Sequence, residues 1–256
     1  MGKSGPSFLA FPGSVVKIPI LMYHNIAEVP DGIDVYRSLY VSPASFARQM
    51  TLLRMLGYRG VSMSDAMPYL RGQKQGKVVA ITLDDGYVDN LEWAMDILRG
   101  HGFTATCYAV SGYLGQYNAW DDQKLGIRKP LMSADELRAW HGGGMEVGAH
   151  TRTHVRLSQS NDQQLRDEIH GCKAELEDRV GIPVTQFCYP YGDYSERAVE
   201  ATREAGYAAA TTTDRGRADA GAAIDLWRLP RIQVARHHLL PQVMAKVLTR
   251  YEDKRA

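Results

Sequence analysis

The chain has 256 residues and a formal net charge of +1, with 45% hydrophobic and 23% charged residues. That length allows one large domain with a substantial core, and the composition is that of an ordinary globular protein. No dense basic run marks a nucleic-acid groove, which excludes that class of partner. The three cysteines, Cys107, Cys172 and Cys188, form no CxxC pair. They read as buried small residues or free thiols, not as a disulfide framework or zinc knuckle, and fit a reducing compartment.

In chain order, the first apolar patch, residues 8–11, is followed by Pro12 and Gly13 and is shorter than a secretory h-region. No run is long enough to span a membrane as a helix. A cytoplasmic protein is expected, or a periplasmic or extracellular one if the natural start lies upstream. Residues 1–16 read as an N-terminal extension and 17–256 as a single domain. A strand is expected at 18–23. Ser42 followed by Pro43 opens a helix over 43–56. A weaker strand at 58–61 precedes a strong one at 77–83, rich in β-branched residues. Beyond a helix at 87–98 comes a strand at 103–110. The connection 111–130 carries Tyr113, Tyr117 and Trp120 and is long enough to be a substrate loop. Ser133 and Glu136 form a capping box ahead of a strand at 145–149. The longest helix, 161–180, stops at Gly181, Ile182 and Pro183. A strand at 184–189, a helix at 196–205 capped by Ser195, a strand at 207–212 and a weaker one at 227–234 complete the series.

Alternating β and α units imply a parallel sheet with right-handed crossovers. Seven or eight units without a linker suit a closed or nearly closed barrel. Polar residues at the carboxyl ends of its strands then meet at one mouth.

Four strand ends carry chemistry. The first is TLDDG, residues 82–86, where Asp84 and Asp85 repel unless something positive sits beside them. One carboxylate can bind a cation while the other accepts a proton, although an aspartate pair also suits a helix N-cap. The second is HTRTH, residues 150–154. An extended chain would separate His150 and His154 by about 13 Å, whereas one helical turn brings their Cβ atoms to about 5–6 Å, within reach of one ion. An aspartate such as Asp85 would complete a three-ligand site with a position open for water. The third is FCYPYG, residues 187–192, whose turn offers the Tyr191 backbone N–H as an oxyanion donor and Tyr189 and Pro190 as substrate contacts. The fourth is DLWRLPR, residues 225–231. Trp227 is expected to wall a pocket for an acetyl methyl, and Arg231 to pair with a site carboxylate and hold it ionised. His24, ending the first strand, points towards the same mouth.

In this order the segments resemble the NodB-type polysaccharide deacetylases, carbohydrate esterase family 4. TLDDG is similar to the family's first motif, TFDDG, and HTRTH to its second, H-[ST]-x-x-H. FCYPYG resembles the third and DLWRLPR a divergent fourth. ILMYHNI, residues 20–26, is similar to the opening of the branch acting on poly-N-acetylglucosamine-like polymers. The resemblance runs from about Lys17 to about Val247. It implies an α/β fold, a distorted (β/α)7-type barrel. It also implies Asp84 as general base, Asp85, His150 and His154 as ligands of a divalent ion, commonly zinc, and Tyr191 as oxyanion donor. A metal-bound water would then remove acetyl groups from an N-acetylhexosamine glycan, either a polymer or a lipid-linked sugar at a membrane surface.

Two departures stand out. The third motif often carries an arginine that orients the base; that position reads here as Phe187, so Arg231 is expected to take over. The L-x-H motif that supplies the catalytic acid has no match in ARHHLL, residues 235–240, where His237 and His238 read as polar residues opening the last helix. Two other functions fit the same residues: hydrolysis of a non-sugar amide or cyclic imide, and glycan binding without catalysis. An open groove separates the glycan from the small amide, and an intact base at Asp84 argues against a pure binder.

Overall fold

The computed structural model describes residues 16–254. The expected N-terminal extension therefore lies outside the described residues, apart from Val16. The first strand is interrupted at Pro19 into β1 (Lys17–Ile18) and β2 (Ile20–Tyr23). Then follow β3 (Arg59–Val61), β4 (Val78–Leu83), β5 (Thr106–Ala109), β6 (Glu146–Ala149), β7 (Gln186–Cys188), β8 (Ala209–Arg215), β9 (Ala218–Asp219) and β10 (Leu229–Gln233). Every strand read from the sequence is present. The pair β1–β9, a short antiparallel ribbon, had no sequence signal.

The sheet order is β2-β10-β8-β7-β6-β5-β4, closed by pairing of β2 with β4, and all these pairs are parallel. Seven strands thus make the ring. β3 pairs with the first half of β4, at Val78 to Ala80, while β5 takes over the same edge at Thr82 and Leu83. This wedge is what distorts the (β/α)7-type barrel.

Alternation sorts each strand into two sets. Ile20, Val78, Ala80, Tyr108, Cys188, Ala209 and Leu229 form one buried cluster inside the ring. Leu21, Val79, Ile81, Cys107, Val147 and Phe187 face the surrounding helices. Tyr108 fills the barrel opposite Gly148, where a Cβ would lie 2.5 Å from the tyrosine ring. The helix α2 (Met63–Leu70) contributes Met63, Ala66, Met67 and Leu70 to the inner cluster and so plugs the amino-terminal end.

The outer layer follows the expected caps. Ser42 caps α1 (Pro43–Met55), and Ser133 and Glu136 form the capping box of α5 (Ala134–Gly142). The helices α3 (Met95–Gly100) and α4 (Asp122–Leu125) lie between them. The long helix begins at α6 (Asp162–Leu165), passes through a π-helical turn at Arg166–Gly171, continues as α7 (Cys172–Val180), and ends at Gly181. α8 (Glu196–Glu204) and α9 (Leu240–Leu248) complete the layer. A second π-helical turn, Asn90–Ala94, precedes α3. Single π-turns inside helices concentrate at functional sites, and both of the helices that carry them follow loops at the barrel mouth. All three cysteines are buried and unpaired. Among the described residues no helix is long and apolar enough to cross a membrane.

Candidate active site

Asp84 follows β4 directly and is buried at the top of the barrel. Arg231 reaches it from β10: Nη1 lies 2.7 Å from Asp84 Oδ1 and Nη2 2.7 Å from Oδ2. The guanidinium also donates from Nε to the Thr212 carbonyl at 2.7 Å and from Nη1 to Thr82 Oγ1 at 3.1 Å. Burial pushes the Asp84 carboxyl up, but the Arg231 charge and its paired hydrogen bonds outweigh that and hold it below the ordinary carboxylate range. The expected partnership of Arg231 with a site carboxylate is therefore present in full. The β7 residue that faces this pair is Cys188, whose Sγ lies 3.2 Å from Arg231 Nη2. Phe187, read from the sequence as that position, points the other way, into the layer between barrel and helices.

Asp85 turns in the left-handed region at φ 77°. Its Oδ1 lies 3.4 Å from His150 Nε2 and 3.3 Å from His154 Nε2. The ligand-type atoms of these three buried residues all lie within 4.8 Å of one another. Two ligands bound at about 2.0–2.1 Å to one tetrahedral ion are separated by about 3.3–3.4 Å, so the spacing fits a zinc-sized cation. His150 Nδ1 sits 2.8 Å from the Cys188 carbonyl. Donation to that oxygen leaves Nε2 as the free lone pair, the usual support of a metal-binding imidazole. Burial pushes Asp85 up, yet the two imidazoles bring it well below its ordinary value. Burial likewise lowers His154, but at His150 the downward pull of burial is outweighed by Cys188 and Asp85, which raise that imidazole well above its ordinary value, so a cation would have to displace its proton. An ionised carboxylate and a neutral imidazole are the forms that bind a cation.

The histidine pair comes together differently from the helical turn expected for it. Residues 150–155 belong to no helix, and Thr151 (φ 61°) and His154 (φ 59°) are both left-handed. For a β-branched threonine this is an outlier costing about 1–3 kcal/mol. The rings of His150 and His154 end up 4.9 Å apart, edge to face. Trp120, from the loop read as a substrate loop, stacks on His154 at 4.4 Å, and Tyr191 meets the same ring edge-on at 4.6 Å.

Tyr191 is left-handed at φ 59° and follows Pro190 in the turn after β7. Gly192 is required there, because a Cβ would fall 1.9 Å from Thr213 Oγ1. His24 leaves β2 with Nε2 3.9 Å from Asp84 Oδ2 and its side chain 17% exposed. The β2 exit is pinned by residues the sequence reading passed over. Asn90 Nδ2 donates to the His24 carbonyl at 2.9 Å, and Asp89 Oδ1 accepts the Ile26 N–H at 3.0 Å.

Two expected substrate contacts lie elsewhere. Tyr189 has the outward parity of β7 and packs against Phe187 and Tyr194. Trp227 precedes β10, at the end of the barrel away from the mouth; its Nε1 donates to the Tyr207 carbonyl at 3.2 Å and Arg203 covers its ring. His237 and His238 precede α9 as expected, their rings edge to face at 4.6 Å. Burial and the nearby Lys246 push His238 down to about 4. Beside His154 a groove of about 450 Å³ opens between Trp120, Lys124, Arg156, Gln159, Gln164 and Tyr191.

Comparison with known proteins agrees with this geometry. Residues 71–210 match the polysaccharide deacetylase family. A Bacillus subtilis protein named as a polysaccharide deacetylase, YxkH, is 28% identical over 223 residues, 86% of this chain and 72% of that one. The poly-β-1,6-N-acetyl-D-glucosamine N-deacetylase of Escherichia coli is 22% identical over 265 residues, covering 90% of this chain and 38% of that protein. Among solved structures, the Streptococcus pyogenes deacetylase PplD in complex with acetate shares the fold, with a TM-score of 0.78 at 24% identity over 91% of this chain and 99% of that one. With a family match across more than half its length, on a closed seven-strand barrel, this chain belongs to the polysaccharide deacetylase family, hydrolases acting on carbon–nitrogen bonds.

Proposed function

We propose that the protein removes N-acetyl groups from an N-acetylhexosamine-containing glycan in a metal-dependent hydrolysis. The observation that carries this reading is an ionised, arginine-held Asp84 standing beside the converging donors of Asp85, His150 and His154. A divalent cation held by those three residues, most simply zinc, would polarise the acetamide carbonyl and make water more acidic.

The chain's own residues account for the remaining steps. Asp84 takes a proton from the attacking water. Arg231 keeps that carboxylate ionised and fixes its plane through two hydrogen bonds. The Tyr191 backbone N–H would donate to the oxygen that gains charge when water adds to the carbonyl. Cleavage of the C–N bond needs a proton on the departing nitrogen. His24, 3.9 Å from Asp84 and partly open to the mouth, is the donor the geometry favours; His237 and His238 instead line a separate pocket with Arg215 and Lys246. The products are acetate and a free amine.

The open groove beside His154 supports a glycan over a small amide or cyclic imide, which calls for an enclosed pocket. The named substrate of the Escherichia coli relative, an N-acetylglucosamine polymer, supports the same class. The test is acetate release from N-acetylglucosamine oligomers alongside a cyclic imide. Release from the oligomers alone, lost in His24→Ala, is expected. Turnover of the imide with none of the oligomers would replace this reading.

A further inference from the structure

The loop that carries His150 and His154 has neither a helical nor a sheet ladder to hold it. Its backbone N–H groups must find partners elsewhere. Glu168 provides two of them. Its Oε2 accepts the Arg152 N–H at 2.9 Å and the Thr153 N–H at 2.8 Å, and its Oε1 accepts the Thr153 hydroxyl. The residue is 9% exposed and stands on the π-helical turn Arg166–Gly171. On the other side of the loop, Ser111 N–H donates to the Thr151 carbonyl at 3.2 Å and Gly112 N–H to the Arg152 carbonyl at 2.9 Å.

The two imidazoles are supported unequally. His150 is oriented through its own Nδ1 by the Cys188 carbonyl. His154 Nδ1 has no hydrogen-bond partner. Its ring direction therefore depends on the left-handed backbone at Thr151 and His154 and on the rings of Trp120 and Tyr191. That backbone is the segment Glu168 grips.

We infer that Glu168 is a positioning residue for the metal centre: by binding the N–H groups of Arg152 and Thr153 it holds the loop in the strained turn that directs His154 Nε2 at Asp85. The inference rests on Asp85, His150 and His154 being the cation ligands. It gives the π-turn a purpose, since a carboxylate on this helix must be turned towards the loop two elements away. It also assigns the cation affinity partly to a residue that touches no ligand atom of the ion.

The experiment measures zinc affinity directly, by competition with a chelating indicator, so it does not depend on turnover. Glu168→Ala should bind zinc about 10- to 100-fold more weakly. Glu168→Gln, which keeps one accepting oxygen, should fall between that and the unaltered protein. Glu175→Ala is the control. Glu175 reaches the same loop only through the Arg152 side chain and Ser111 Oγ, and its loss should shift affinity less than threefold. With zinc raised to saturation, Glu168→Gln should regain acetate release, as a positioning role requires and a damaged fold does not allow. Unchanged zinc affinity in folded Glu168→Gln and Glu168→Ala would overturn the inference. Weakened zinc binding in a protein that never deacetylates a sugar would uphold it and sink the proposed function instead.

Discussion

The two ends of the barrel each hold a carboxylate, and they treat it in opposite ways. At the mouth, Asp84 is clamped by a guanidinium through both oxygens, and its pKa is depressed. At the floor, Glu146 opens β6 and accepts from Ser64, from its hydroxyl and its N–H at 3.0 Å, and from the Thr106 hydroxyl. The residue is half-buried, and with no cation paired to it among the described residues, desolvation raises its pKa. The backbone divides the same way. All five left-handed non-glycine residues among those described, Tyr36, Asp85, Thr151, His154 and Tyr191, lie in loops that follow the carboxyl ends of strands. Strain and paired charge are gathered where chemistry is expected, while the floor uses hydrogen bonds from neutral donors at the start of α2.

Breaking the mouth should have the largest effect. Arg231→Ala leaves Asp84 buried without its counter-charge. It should cost about 3–5 kcal/mol in urea unfolding and lower acetate release by about 10²–10⁴-fold, the range of a lost general base. Full activity in this variant would remove Arg231 from the account. The Asp84 pair also has a signed pH dependence. Its folded pKa is lowered, so its stabilisation is complete above the ordinary value of 3.8 and disappears as pH falls through the native value.

A smaller effect with the opposite sign is expected at the floor. The folded pKa of Glu146 is raised, so its stabilisation is complete below the ordinary value of 4.5 and is lost as pH rises through the native value. Glu146→Gln should remove that pH dependence, change stability at neutral pH by about 1 kcal/mol, and leave acetate release within twofold. Urea midpoints measured from pH 4 to 7 give the slope. A large loss of activity would show that the two ends are coupled rather than separate in role.

The barrel was legible in the sequence because each strand is short, apolar and bounded by turn residues, and because no linker interrupts the alternation. The core of the site was legible because Asp84, Asp85, His150 and His154 sit directly after strands. The details that needed three dimensions are those set by register and by strained backbone. Parity on β7 decides that Cys188 faces Arg231 while Phe187 and Tyr189 face outward, and one strand read alone does not fix parity relative to β4. Trp227 was expected at the mouth as part of the DLWRLPR segment, yet the strand up to Arg231 carries it to the opposite end. The histidine pair converges through left-handed residues, which the i, i+4 spacing imitates without being helical. Glu168 gave no signal at all: a single glutamate in an amphipathic helix looks like solvated surface until the π-turn rotates it inward.

The most direct measurement is acetate release from N-acetylglucosamine oligomers by the intact protein, its chelated form, the chelated form with zinc restored, and Asp84→Asn. The account predicts loss on chelation, recovery on zinc return, and an inactive Asp84→Asn that still binds zinc. Release that survives both chelation and Asp84→Asn would contradict it.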